Sequence, residues 1–284
     1  MRHRYECPLR WADMDQLGHI NNVVYVDYLQ EARVDMLRTH SPAAHSGMLT
    51  EGTVVVRHEV TYVAPLSFGS RPVSIEAWVT QIRAASFTVA YEVFHEEPDG
   101  TRQVYARAKT MLTPYVFTTE TPRRVNDQER EMLGRFLEPE APTPRPRFPR
   151  ELPEPALSYP VHVRFSDVDI YGHVNNVKYF EYFQEARISG FAELWAGLEP
   201  ITLVVAQTDV DYRVPILFRP EPYAARSWIA RIGQRSATIE SVIGDGDVTL
   251  ARGRVTIVFF DQATQRSTVP PEIYLDRLRA LQPA

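Results

Sequence analysis

Apolar and polar positions change period several times along the chain, and they do so in the same order twice. The segment Tyr5–Trp11 (YECPLRW) reads as a short strand, and a polar, turn-forming stretch follows it. From Val23 onward apolar residues recur at helical spacing, at Val23, Val26, Leu29 and Met36. This predicts one amphipathic helix of about 15 residues. Four strand-like runs come next, at Val54–Val63, Pro72–Ile82, Ser86–Phe94 and Val104–Leu112. The half closes on NDQEREMLGRFL, helical in pattern, with Asn126 or Asp127 placed to cap it.

The second pass begins with a strand at Tyr159–Phe165 (YPVHVRF) and a helix carrying Val177, Phe180, Phe183 and Ile188 on its apolar side. Strand-like runs recur at Leu203–Tyr212, Tyr223–Ile232, Ser236–Ile243 and Thr249–Phe260, and PPEIYLDRLRAL opens a last helix with prolines. Residues match as well as periods. RWADMDQLGHINNVVYVDYLQEAR (Arg10–Arg33) and RFSDVDIYGHVNNVKYFEYFQEAR (Arg164–Arg187) share 14 of 24 positions, against about one or two expected by composition. Further on, EVTYVAPLSF (Glu59–Phe68) answers DVDYRVPILF (Asp209–Phe218), Trp78 answers Trp228, and Ser86 answers Ser236. The chain is a duplicated domain.

The copies are joined by FLEPEAPTPRPRFPRELPEPALSYP, whose prolines fit neither a helix interior nor a central strand. The expected organisation is therefore a domain over 1–137, a proline-rich linker over 138–158 and a second domain over 159–284. Consecutive strands with short turns favour an antiparallel sheet, so each half is predicted to be α+β, one sheet with one long helix. A lone sheet leaves edges in need of cover, and two halves in one chain can pair and close them. The expectation is an intrachain pseudo-dimer.

At 284 residues, with 44% apolar and 24% charged residues, the chain has material for two cores. No stretch approaches the roughly 18–20 apolar residues of a membrane span, and the first residues carry no signal-like apolar core. Cys7 is the one cysteine, so a reducing, cytoplasmic location is expected and the thiol itself reads as a small core residue. The formal charge of −5 argues against general affinity for nucleic acid or an anionic membrane. It leaves room for a small polyanion held by a few arginines.

The repeated order D-x-D-x-x-G-H-x-N-N runs from Asp13 to Asn22 and from Asp167 to Asn176, between a strand end and a helix start. A helix amino end offers unsatisfied N–H groups and a partial positive charge, suited to a carbonyl oxygen on which charge develops. A carboxylate beside it can attack a carbonyl or take a proton from water, and a histidine four residues on can orient that water. The set suits acyl transfer to water. Structural roles stand beside this: the asparagines as helix caps, and Asp13 and Asp167 as turn formers or partners of Arg10 and Arg164. Gln30–Arg33 and Gln184–Arg187 line a site or meet a partner element. One carboxylate and one imidazole make no metal site, and neither a G-x-S-x-G elbow nor a nucleotide-binding glycine loop is present.

DVDIYGHVNNVKY, followed by helix and strands, resembles the hotdog-fold thioesterases, in particular the 4-hydroxybenzoyl-CoA thioesterase-like branch and the plant acyl-ACP thioesterases. The resemblance implies two tandem hotdog units, each an antiparallel sheet wrapped around a long central helix, with sites where units meet. It implies a catalytic carboxylate at Asp15 and Asp169, an active-site histidine at His19 and His173, and a carbonyl-polarising amide at Asn22 and Asn176. The asparagine that acyl-ACP relatives carry two residues after the carboxylate is Leu17 and Tyr171 here, so that constellation is not reproduced. Coenzyme A phosphates are expected at Arg83 and Ser86, and at Arg235 and Ser236. The function so implied is hydrolysis of an acyl-CoA, or acyl carrier protein, thioester without cofactor or metal, with a dimer of chains as a further expectation. A hotdog enoyl-CoA hydratase and an acyl-CoA-binding protein without turnover stand as alternatives.

Overall fold

Alternating and helical periods translate into the same element order in each half. The structure is a computed structural model and describes residues 1–40, 51–141, 148–149 and 151–283. The chain divides into two compact units, Met1–Thr143 and Pro144–Ala284. Of the predicted connector, residues 142–147 and 150 lie outside the described residues.

The first unit runs β1 (His3–Cys7), α1 (Val24–His40), β2 (Glu51–Tyr62), β3 (Val73–Ile82), β4 (Phe87–Glu96), β5 (Arg102–Val116), the two-residue β6 (Thr121–Pro122) and α2 (Asp127–Gly134). The second repeats it as β7 (Leu157–Val161), α3 (Lys178–Leu194), β8 (Leu203–Tyr212), β9 (Tyr223–Ile232), β10 (Ser236–Asp245), β11 (Val248–Asp261), β12 (Arg266–Ser267) and α4 (Glu272–Arg279). The strands order as β1-β3-β4-β5-β2 in one unit and β7-β9-β10-β11-β8 in the other, all antiparallel. Each unit is α+β in the hotdog manner, a five-strand sheet with one long helix against it. The leading strand ends at Cys7 or Val161, short of the predicted Trp11 and Phe165, because residues 11–13 and 165–167 tighten into single 3₁₀ turns.

The helices bury the faces that spacing selects, with one exception. Val26, Leu29 and Met36 are fully buried on α1, as are Phe180 and Phe183 on α3, but Ile188 is exposed. Five residues past Phe183 it has rotated about 140° from the buried face; Arg187, Gly190 and Phe191 take the buried places. Packing differs between the copies in a compensating way. The ring of Phe183 lies over Gly253, where a Cβ would come within 3.0 Å of it; the first unit has Leu29 and Ala108 at those places, both buried. The smaller strand residue makes room for the larger helix residue. α2 is capped as predicted: Asn126 Oδ1 accepts the Glu129 N–H at 2.8 Å, and Glu129 accepts the Asn126 N–H at 2.9 Å.

Candidate active site

The repeated motif is a loop closed by its own backbone. Asp15 N–H donates to the His19 carbonyl (2.8 Å) and Gly18 N–H to the Asp15 carbonyl (3.0 Å), a tight turn repeated at Asp169 (2.8 and 3.1 Å). The turn needs a positive φ at its last residue, +76° at Gly18 and +80° at Gly172. A Cβ at either would meet nothing within 4 Å, so glycine is there for backbone angle and not for space.

Asp13 and Asp167 are the anchors. Both are buried, and each accepts a short hydrogen bond from a buried helix tyrosine, Tyr28 to Asp13 at 2.6 Å and Tyr182 to Asp167 at 2.7 Å. Arg10 Nε completes the first anchor at 3.0 Å, and the Arg164 backbone N–H the second at 2.9 Å. The carbonyls of the two aspartates accept the Asn21 and Asn175 N–H groups, both at 2.8 Å. Burial, then the aspartate hydrogen bond, pushes both phenols above the ordinary tyrosine range, so they remain donors. The helix tyrosines escaped the sequence reading; their signal was present, since Tyr28 and Tyr182 are among the 14 identities.

Asparagines divide into two roles. Asn21 Oδ1 and Asn175 Oδ1 each accept the N–H two residues on, both at 3.2 Å, which caps the helix entry. The carbonyls of Asn22 and Asn176 accept the Tyr62 and Tyr212 hydroxyls at 2.7 and 2.8 Å. The Asn22 backbone N–H has no acceptor among the described residues.

Asp15 and Asp169 have one oxygen fastened and the other unengaged. Asp15 Oδ1 accepts the Leu17 N–H at 2.8 Å and lies 3.4 Å from the His19 N–H; Asp169 Oδ1 accepts the Tyr171 N–H at 2.9 Å. No hydrogen bond reaches Oδ2 of either among the described residues, and both side chains are half-buried. The His19 and His173 backbones bridge to Ser67 and Leu217, so the loop after β2 or β8 lies against the motif. The His19 ring makes no hydrogen bond among the described residues. Each loop also carries an edge-to-face aromatic pair, Trp11–Phe68 (5.6 Å) and Phe165–Phe218 (6.1 Å).

Other predicted residues lie elsewhere. Ser86 and Ser236 accept the N–H groups of Arg83 and Gly233 through their carbonyls, at 2.7 and 2.8 Å, closing the β3–β4 and β9–β10 turns. Arg83 and Arg235 are thus not at equivalent positions: Gly233 holds the place of Arg83. Ladder registers put Ile82 seven residues along from Ile75, and Phe87 and Leu112 six residues along from Val93 and Ala106, the level of Tyr62. Within the first unit the Arg83 turn is therefore about 20–23 Å along the strands from the motif end. Arg33 and Arg187 are buried on the helices while Glu31 and Glu185 are exposed. Burial pushes the Cys7 thiol up to about 12, too high for a nucleophile at neutral pH.

Among the described residues no group of three or more His, Cys, Asp or Glu side chains is placed to hold a metal ion, and no helix is long and apolar enough to cross a membrane. What remains in the first copy is a carboxylate oxygen, an imidazole and a helix-start amide on one closed loop, and the second copy carries the same residue types on the same turn. A profile of the thioesterase-like superfamily matches residues 9–152 and 163–278, a match on each copy of that loop. The chain belongs to the thioesterase-like superfamily. With the superfamily comes the enzyme class, acyl thioester hydrolysis. Over 114 residues the chain is 29% identical to the long-chain acyl-CoA thioesterase FadM of Escherichia coli, a match covering 38% of this thioesterase and 85% of FadM. The 12:0-ACP thioesterase of Umbellularia californica superposes with a TM-score of 0.70 at 13% identity, over 90% of this chain and 93% of its own. A Lactobacillus plantarum protein assigned as an oleoyl thioesterase gives 0.72 at 17% identity, over 92% and 96%. At such identities these two likenesses speak for the fold alone.

Proposed function

We propose that this thioesterase hydrolyses fatty acyl-CoA, with Asp15 and Asp169 as the reacting carboxylates. The observation that carries this is the half-fastened carboxylate, one oxygen held by a loop amide and the other unengaged in both copies; in the first copy it stands beside the Asn22 N–H, which has no acceptor among the described residues. The held oxygen fixes the side chain's direction, so little rotamer freedom is lost on reaction. The Asn22 amide, and by equivalence that of Asn176, receives the thioester oxygen as it becomes an oxyanion. The unengaged oxygen then attacks the carbonyl carbon, breaking the C–S bond to leave an aspartyl mixed anhydride that water hydrolyses, or takes a proton from a water that attacks the carbonyl itself. His19 and His173, on the same turns, orient that water or return the proton to the departing thiolate.

The coenzyme A reading draws on the name of the FadM relative, and Arg83, Ser86, Arg235 and Ser236 are its proposed phosphate contacts. The test is thiol release from a panel of acyl-CoA substrates, with an acyl carrier protein thioester as competitor, for the parent chain and for Asp15→Ala, Asp169→Ala and the double variant. Hydrolysis should be lost in the double variant. Parent-like turnover there would remove the carboxylates from the mechanism; faster release from the carrier protein would replace coenzyme A.

A further inference from the structure

The two loops share the hydrogen bonds of their turns and helix entries and differ at their rims. In the turn between the reacting carboxylate and the glycine, Gln16 of the first unit answers Ile170 of the second. At the bridge to the histidine, His19 meets Ser67 whereas His173 meets Leu217. Ile170 is 70% exposed and Leu217 50%, on opposite sides of the histidine backbone. Leu217 adjoins Phe218, whose ring meets Phe165, itself 84% exposed. The first rim has the aromatic pair but is otherwise polar at these places. Val63 and Arg213, at the strand ends, reverse the sense, as do Leu17 and Tyr171 within the turn, but those two are half-buried where Ile170 is exposed.

Large apolar side chains left this open beside a reacting group mark a surface that something apolar covers. The pantetheine arm is common to all substrates of the proposed reaction and would meet both rims alike. The acyl group varies, and its methylenes are what an isoleucine and a leucine can distinguish from a glutamine and a serine. Each methylene that passes from water to such a surface is about a fourfold gain in binding.

We infer that the two centres have different acyl preferences, and that Ile170 and Leu217 make the second centre selective for longer, apolar acyl groups. This rests on the reading of Asp15 and Asp169 as the reacting carboxylates. An asparagine at either place can still accept the loop amide, so Asp→Asn silences one centre of the full chain and leaves its turn closed.

The experiment measures kcat/KM for thiol release from short-, medium- and long-chain acyl-CoA substrates in Asp15→Asn and in Asp169→Asn. The ratio of long- to short-chain kcat/KM should be at least about fourfold higher in Asp15→Asn, where the second centre alone works. Adding Ile170→Gln and Leu217→Ser to Asp15→Asn, both at exposed positions, should bring that ratio down toward the Asp169→Asn value. The same additions in Asp169→Asn should leave its ratio unchanged. Equal profiles for the two single variants would overturn the inference, as would loss of all activity in either one or a ratio that ignores the rim substitutions. Failure of the underlying reading looks different: neither Asp→Asn change, nor the two together, then lowers thiol release.

Discussion

Replacing Tyr28 or Tyr182 by phenylalanine removes one oxygen atom from beneath the motif loop and nothing else. The two sites predict different costs. A hydrogen bond to a charged partner contributes roughly 1.5–3 kcal/mol, and the buried carboxylate that loses its donor remains buried. Asp13 would keep the Arg10 side chain, with Nε at 3.0 Å and Nη2 at 2.9 Å. Asp167 would keep only the Arg164 backbone N–H at 2.9 Å among the described residues. Tyr28→Phe is therefore expected near 1.5 kcal/mol and Tyr182→Phe nearer 3 kcal/mol. For units of this size these figures correspond to falls in Tm of about 5 and 10 °C. Urea unfolding of the full chain followed by circular dichroism reads both, and the two substitutions should add, since among the described residues each anchor's hydrogen bonds stay within its own unit. Because the Asp13 and Asp167 carbonyls also hold Asn21 and Asn175, kcat should fall along with stability while KM moves less. A Tyr182→Phe chain within about 0.5 kcal/mol of the parent, or one more stable than Tyr28→Phe, would refute the anchoring role.

Three further outcomes follow from local geometry. Gly253→Ala sets a Cβ at 3.0 Å from the Phe183 ring and should cost about 1–3 kcal/mol; adding Phe183→Leu, which restores the pairing of the first unit, should recover most of it in the same unfolding assay. Gly18→Ala and Gly172→Ala should each lose about 1–2 kcal/mol from backbone strain alone, with asparagine milder than alanine at both, as thermal melts would read. His3 Nδ1 and His40 Nε2 lie 3.2 Å apart, with Asp35 on His3 Nε2 at 2.9 Å, and burial, then His3, holds His40 below the ordinary histidine range. A histidine with a depressed folded-state value contributes stability that is full above the unfolded value of about 6.5 and is lost as pH falls through the folded one. Tm should drop between pH 7.5 and 5, and the drop should be smaller in His40→Gln.

Strand positions were legible because each run is bounded by turns and faces a core on one side. β8 and β9 coincide with their predicted limits, and β3 differs by a single residue. The leading strands are shorter than their apolar pattern because Trp11 and Phe165, strand-like in type, stand exposed on 3₁₀ turns. Apolar pattern alone does not distinguish a buried aromatic from one displayed at a rim. Ile188 departs from its pattern for a related reason: a stripe followed only through its large apolar members passes over Ala186, Arg187 and Gly190, which are what the α3 face buries. The anchoring tyrosines stand among the 14 shared positions, yet a hydroxyl on an apolar helix face announces no partner until the fold brings Asp13 or Asp167 beneath it.

Duplication helps only partly in separating catalysis from architecture within the motif. Asp13, Gly18, Asn21 and Tyr28, with their second-unit equivalents, each carry a backbone angle or hydrogen bond present in both loops. Inheritance of a stable turn explains their repetition without any chemistry. Asp15 belongs to that group through one oxygen and escapes it through the other. The His19 ring and the Asn22 amide escape it altogether, since neither makes a hydrogen bond that the fold requires. Groups that a loop retains without using are where a substrate has room to act. The weight of the functional assignment therefore falls on what these three leave unengaged, and a substitution that spares every internal bond, such as Asp15→Asn, tests it more cleanly than one that breaks the turn.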